Sequence, residues 1–282
     1  MILVDLNQVL ISNLMISKIS MEESLIRHMV FNSLRAYNRQ FRSKYGKMVI
    51  CCDNYKQASW RKEYFPFYKA HRKKDRDASS VDWKVAFSIF DIIRNELKEF
   101  FPYKIIDLPG AEADDIIAVL SERLKERTLI VSSDKDFLQL QIFDNVDQYS
   151  PILGKFIRSE DPIDFLNEHI IRGDRGDGIP NMLSEDSTFV SGGRQKSINS
   201  KKLNDWLSIL KLTNQTPPFE GEELGGFIRN RTLIDLKEIP SNIISNIRIE
   251  FEKEPKKITK QEMLNFFISR GLRNLIEHLD EF

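Results

Sequence analysis

The strongest constraint on this chain is a rhythm. Short apolar runs at 2–6, 47–52, 103–107 and 128–132 (ILVDL, KMVICC, YKIID, TLIVS) alternate with longer amphipathic stretches. Runs rich in Ile and Val, flanked by polar residues, suit strands buried on both faces of a parallel sheet. The stretches between them read as helices. Ser20 and Glu23 have capping-box spacing, and Ile26, Val30, Leu34, Tyr37, Phe41 and Tyr45 then recur along one face until Gly46. Asp82 can cap a helix that stops before Pro102, and a third helix is expected over 111–126. The expected class is α/β, with a mainly parallel central sheet and flanking helices.

After about residue 160 the rhythm changes. Asp161-Pro162 opens a helix. Further helices are expected over 224–236, 241–252 and 259–269, around a weak stretch at 183–202 and a loop at 214–223. The expected organisation is a domain over 1–165 and a smaller helical domain over 166–282.

The acids fall in telling places. Asp5 and Asp53 end the first two apolar runs, and Asp134 and Asp136 follow the fourth. Glu112, Asp114 and Asp115 lie in the first turn of the third helix, and Asp174 and Asp177 lie in RGDRGDGIP. In a parallel sheet the strand C-termini share one edge, where such sheets bind ligands. Like charges about 4 Å apart repel by about 4 kcal/mol at an effective dielectric near 20. Such a cluster therefore calls for a hard divalent cation, and two such ions are what phosphodiester hydrolysis uses. Asp115 points about 100° away from Asp114 on a helix, so one of the pair is expected only to cap or hydrogen-bond.

The total charge is balanced, with 42 Lys plus Arg against 42 Asp plus Glu. That excludes a uniformly basic or acidic protein. The balance hides a basic segment: KQASWRKEYFPFYKAHRKKDR, residues 56–76, carries eight cations and two acids. Trp60, Tyr64, Phe65, Phe67 and Tyr68 interleave with them. Charges that track phosphates and rings that stack on bases suit a single-stranded nucleic-acid end. The stretch 73–81 has little to bury and is expected to be mobile without DNA. Cys51 and Cys52 are adjacent, which excludes a disulfide framework, and the scattered His28, His71, His169 and His278 offer no Cys/His zinc site. No apolar run approaches the ~20 residues of a membrane span. A soluble protein of a reducing cytoplasm is expected.

In order along the chain, ILVDLN, CCDN, RKEYFPFYKAHR, AEADDIIAVL, VSSDKDFLQL and RGDRGDGIPN resemble the flap endonuclease and 5′-3′ exonuclease superfamily, with its PIN-like nuclease domain. The likeness is greatest to the T-even phage RNase H branch and runs almost the whole length. It implies removal of RNA primers and adjoining DNA during lagging-strand replication, and cleavage of 5′ flaps. It implies two Mg²⁺ ions, for which Mn²⁺ can substitute. Asp5, Asp53, Glu112, Asp114 and Asp134 would serve the first ion, and Asp136, Asp174 and Asp177 the second. Lys69 and Arg72 would steady the scissile phosphate beside Asp114, and Tyr68 would stack near the 5′ end. Arg61, Lys62, Lys73 and Lys74 complete the expected contacts of an arch over 56–82.

GDGIP resembles the opening of the family's helix-three-turn-helix element. Many members follow it with a glycine-rich hairpin that grips the duplex, but MLSEDSTFVSGGRQKS has no such pattern. Gly192, Gly193, Arg194 and Lys196 are the expected phosphate contacts instead. No expectation about the potassium site found at such hairpins carries over. The resemblance also suggests a replication single-strand binding protein as partner and a monomer acting on DNA and RNA–DNA duplexes. With a first strand at Ile2, no clamp-binding N-terminal extension is expected. The residues themselves leave open a PIN-type ribonuclease, a phosphoryl hydrolase with Asp5 as nucleophile, or a non-catalytic scaffold.

Overall fold

The computed structural model describes residues 1–16, 21–54, 56–213 and 215–282; Ser20, the expected helix cap, lies outside them. Among these residues the chain forms a six-stranded sheet of order β3-β2-β1-β4-β5-β6. The strands are β1 (Ile2–Asp5), β2 (Met48–Cys51), β3 (Lys104–Ile106), β4 (Thr128–Val131), β5 (Val146–Ser150) and β6 (Lys155–Ile157). β1 to β5 pair in parallel and β6 closes the edge antiparallel. The order reverses beside β1, which places a crevice outside the C-terminal ends of β1 and β4. The four expected strands are present, and β5 and β6 are additions to them.

Strand alternation sends side chains to two cores. Ile2, Val4 and Ile50 meet α1 (Leu6–Ile16), α2 (Glu23–Tyr45) and α5 (Trp83–Phe100) on one face, through Leu10, Val30, Leu34, Phe90 and Ile93. Leu3, Val49 and Ile130 meet α6 (Ala113–Arg123) on the other, through Ile116, Ile117 and Leu120. Each such buried side chain contributes about 1.5–3 kcal/mol. Cys51 and Cys52 are free and buried, one in each core. Asp82 caps α5 through the N–H groups of Lys84 and Val85, and Gly46 closes α2 with its N–H on Arg42 O.

Between β2 and α5 the basic segment forms α3 (Trp60–Tyr64) and α4 (His71–Asp77). The stretch expected to be mobile thus begins as helix. Past the sheet, α7 (Pro162–Arg172), α8 (Ser200–Leu212) and α9 (Gly221–Ile234) enclose a third core of Ile170, Ile171, Leu203, Trp206, Phe227 and Leu233. Phe65 and Tyr68 of the basic segment join that core. The chain then returns to the sheet. α10 (Ser241–Glu252) adds Ile243 and Ile247 to one face, and α11 (Lys260–Ser269) adds Met263, Phe266 and Phe267 to the other. Among the described residues, no helix is long and apolar enough to cross a membrane.

Candidate active site

The topology brings the acids together at the sheet's C-terminal edge. Asp5 is the last residue of β1, and its carboxylate accepts from Gln8 N–H (3.1 Å) and Ser132 Oγ (3.2 Å). Asp53 lies two residues beyond β2 and accepts from Asn7 Nδ2 (2.6 Å) and Ala113 N–H (2.8 Å), so the first turns of α1 and α6 both aim it. Asp134 caps the 3₁₀ helix Lys135–Ile142 through Asp136 N–H (3.0 Å). Asp174 accepts from Asp177 N–H (3.0 Å), and Ile179 N–H closes the turn on Asp174 O (2.7 Å). That turn demands glycine twice. Gly173 has φ +70, and a Cβ there would lie 2.4 Å from Ile179 O; Gly178 has φ +74, and a Cβ would lie 2.9 Å from His71 Nδ1.

These carboxylates repel one another in a half-buried setting. Burial, with Asp53 and Asp134 nearby, pushes Asp5 up to about 7. Burial and the Asp134 charge push Asp136 to about 8. Asp114 is raised well above the carboxylate range by burial and by Asp134, Asp5 and Asp53. Asp53 is raised by burial and Glu112. Uncompensated oxygens in this number are the donor set that hard divalent cations take.

Glu112 behaves oppositely. Lys69 Nζ (2.7 Å) meets its Oε1, while Ser59 Oγ (2.9 Å), Tyr68 Oη (3.1 Å) and Arg61 Nη1 (3.1 Å) meet its Oε2. Against the cost of burial, Lys69 and Arg61 hold its pKa at about 2. Asp115 turns away from the crevice, as one of the pair must: it is fully buried and accepts from Glu112 N–H, Trp60 Nε1 and Arg61 Nη1.

Two expected nucleic-acid contacts are corrected by their burial. Arg61 is 3% exposed, and its guanidinium is taken by Glu112, Asp115 and Leu233 O of α9. Tyr68 is also 3% exposed, with its hydroxyl on Glu112 and Asp177 (2.8 Å), so its ring presents no face to a base. Both aim carboxylates instead. Lys69 and Arg72 do face the crevice: Lys69 lies 3.6 Å from Asp177, and Arg72 Nη2 lies 2.6 Å from it. Lys62, Lys73, Lys74, Arg194 and Lys196 are exposed.

Beneath the basic segment lies a crevice of about 670 Å³ with Asp53 and Glu112 among its walls. Lys62, Lys69, Arg72 and Arg76 line it, and so do Trp83 and Phe87, whose rings are 5.7 Å apart. Both rings also pack partly against the first core. Their signal was position, at the start of α5 directly after the basic run. A second hollow, of about 460 Å³, opens beside Asp134, Asp136 and Asp174 and contains His169. His169 Nε2 is 3.2 Å from Asp174, and Nδ1 is 3.4 Å from Asp136. The ligand atoms of Asp136, His169 and Asp174 all lie within 4.8 Å of one another, a grouping that could hold a metal ion. The sequence carries no sign of this grouping, because Asp174 is five residues beyond His169, past the end of α7, and Asp136 is in another element.

Comparison with known proteins agrees along the whole chain. Residues 3–167 match the family described as 5′-3′ exonuclease, N-terminal resolvase-like domain, and residues 160–282 match T4 RNase H, C terminal. The Ribonuclease H of Enterobacteria phage T4 is 30% identical over 99% of this chain and 95% of its own length. A 5′-3′ exonuclease of Buchnera aphidicola (from Schizaphis graminum) is 30% identical over 51% of this chain and 50% of its own. The T5 5′-exonuclease, solved with divalent zinc ions, superposes with a TM-score of 0.64 at 16% identity over 89% of this chain and 98% of that one, a likeness of fold.

Proposed function

This chain belongs to the 5′-3′ exonuclease family, in the branch with the T4 RNase H C-terminal domain, and from that premise we propose that it removes RNA primers and 5′ flaps during lagging-strand replication. It is a 5′-3′ nuclease; the proposal concerns its substrates, its ions and the residues that serve them. One observation carries it: acids from β1, β2, α6, β4 and the 173–179 turn converge beside a crevice walled by cations and paired rings.

The donor set, all carboxylate oxygens apart from His169, fits two Mg²⁺ ions, with Mn²⁺ as substitute. Asp5, Asp53, Glu112, Asp114 and Asp134 would hold one, and Asp136, Asp174 and Asp177 the other, with His169 orienting Asp174. Bound there, the ions supply Lewis-acid charge and lower the pKa of water. The rest belongs to the chain. Lys69 and Arg72 orient the scissile phosphate and offset the charge that grows on it. Lys62, Lys73, Lys74 and Arg76 draw in the backbone of a 5′ end. Trp83 and Phe87 offer it a flat wall. Of the expected helical unit 166–282, residues 166–235, with Arg194 and Lys196 exposed, grip the duplex behind the cut, while α10 and α11 pack on the sheet. The working form is a monomer in the cytoplasm, the host's if the chain is phage-encoded, served by a single-strand binding protein.

A 5′-flap and an RNA-primed duplex test the reading. Both are expected to be cut from the 5′ side with Mg²⁺, and neither in EDTA. Equal products under the two conditions would defeat it.

A further inference from the structure

The loop after the GDGIP turn is folded around one side chain of α9. Arg229 is 9% exposed. Its Nη2 donates to Pro180 O (2.9 Å) and Asn181 O (3.1 Å), and its Nη1 to Ser184 O (3.1 Å) and to the Asp186 carboxylate (2.6 Å). Its Nε donates to Asn230 Oδ1 (2.9 Å), and Asn230 Nδ2 returns to Pro180 O (2.9 Å) and Ile170 O (2.7 Å). Main-chain carbonyls ordinarily accept from main-chain N–H groups. Here carbonyls of residues 180, 181 and 184 turn inward onto one cation. α9 comes this close because residue 226 is glycine: a Cβ there would lie 1.9 Å from Met182 O.

The same loop is stitched to the exposed basic segment beyond it. Asn181 N–H donates to Gln195 Oε1 (2.6 Å), Asn181 Nδ2 to Lys196 O (2.7 Å), and Lys196 N–H to Ser184 Oγ (2.9 Å). The shape that Arg229 imposes on 180–186 therefore sets where Lys196 and its neighbour Arg194 stand.

We infer that Arg229 is the built-in cation of a duplex-gripping loop, holding the carbonyls of Pro180, Asn181 and Ser184 so that the grip needs no bound alkali ion. The inference rests on the reading of Arg194 and Lys196 as duplex contacts. Its physical basis is simple. Converging carbonyls repel unless a cation sits among them, and rings of backbone carbonyls are also how K⁺ is coordinated. A guanidinium presents five donors in a rigid plane and cannot lose its charge at working pH. Arg229 thereby acts as a positioning residue for the loop rather than as a catalytic one.

The test uses the full-length protein with Ca²⁺ for binding and Mg²⁺ for turnover. Wild-type duplex affinity is expected to be the same in Na⁺, K⁺ and tetramethylammonium at matched ionic strength. Arg229→Ala is expected to weaken duplex binding roughly tenfold in Na⁺, the effect of about 1.4 kcal/mol, with kcat at saturating substrate nearly kept. It should also speed hydrogen exchange of the 181–196 amides. K⁺ or millimolar guanidinium should recover both, because either refills the carbonyl cage. A wild-type requirement for K⁺ would overturn the inference, with no variant having to fold. So would an Arg229→Ala protein that exchanges like wild type, or one whose loss neither cation repairs. The duplex reading is tested separately by Arg194→Ala/Lys196→Ala. If that double variant binds duplex normally, the grip lies elsewhere, while exchange recovery in Arg229→Ala still reports on the cation.

Discussion

Two acids two residues apart, at the cap and in the first turn of α6, live in opposite electrostatic worlds. Glu112 has Lys69, Arg61, Tyr68 and Ser59 around its oxygens and stays ionised to about pH 2. Asp114 faces Asp134, Asp5 and Asp53, and its carboxyl is raised far above the usual range. Glu112 is thus neutralised by the chain's own cations, whereas like charges crowd Asp114. Asp114→Asn is expected to abolish cleavage, by a thousandfold or more on the order typical for lost metal electrostatics, while leaving DNA binding nearly intact. In EDTA the same change should raise the melting temperature by about 2 °C or more, since it relieves repulsion; a fall would contradict this account. Lys69 makes its ion pair with Glu112 at φ +55, its own N–H held on Asp177 O (2.7 Å). Lys69→Ala should slow single-turnover cleavage far more than it weakens substrate binding, which a KM-against-kcat comparison reads directly.

At the scale of elements, the 173–179 turn joins the nuclease sheet to the third core. Gly173 N–H caps α7 on His169 O, and Gly173 itself packs against the carbonyls of Ile179 and Pro180. Gly173→Ala meets both a positive φ and a backbone clash. It is expected to cost about 2 kcal/mol or more, a melting shift of roughly 5 °C, and to weaken metal binding through displaced Asp174; unchanged Mn²⁺ affinity would refute the link. Elements were legible where caps and periodicity agreed. Asp161-Pro162, Asp82 and the Thr259–Glu262 box each start a helix as the residues imply. β5 carries no strand signal in the sequence because VDQYS does not alternate polar and apolar residues: its buried positions are Val146, Gln148 and Ser150, two of them polar. α1 carries little sequence signal because LNQVLISNLMI scatters its polar residues around the helix and follows β1 with no turn between.

Over the whole molecule, the acids divide into two groups with opposite pH behaviour. Asp107, despite the cost of burial, is held below the usual range by Lys98, Asn54 and Arg94, and Asp147 likewise by Tyr45 and Arg127. A depressed native pKa gives stability that is present above the unfolded value near 4 and is lost as pH falls through the native one. Asp5 and Asp136, raised to about 7 and 8, do the reverse. The native state keeps protons there that the unfolded chain has released, so stability falls as pH rises from about 4 towards 8. The metal-free protein should therefore melt highest near pH 5 and lose several degrees by pH 8, and Mg²⁺ should abolish the alkaline decline. A flat profile in EDTA, followed by calorimetry, would argue against the converged acids. The parallel sheet, the acids at strand ends and the basic segment were determined by the sequence alone, because strand period, cap chemistry and charge spacing are local properties of the chain. The tertiary structure decided the roles of Arg61, Tyr68, His169 and Arg229. Whether a cation meets a phosphate, a carboxylate or a ring of carbonyls depends on which distant segments fold against it, and nothing within a few residues of it carries that information.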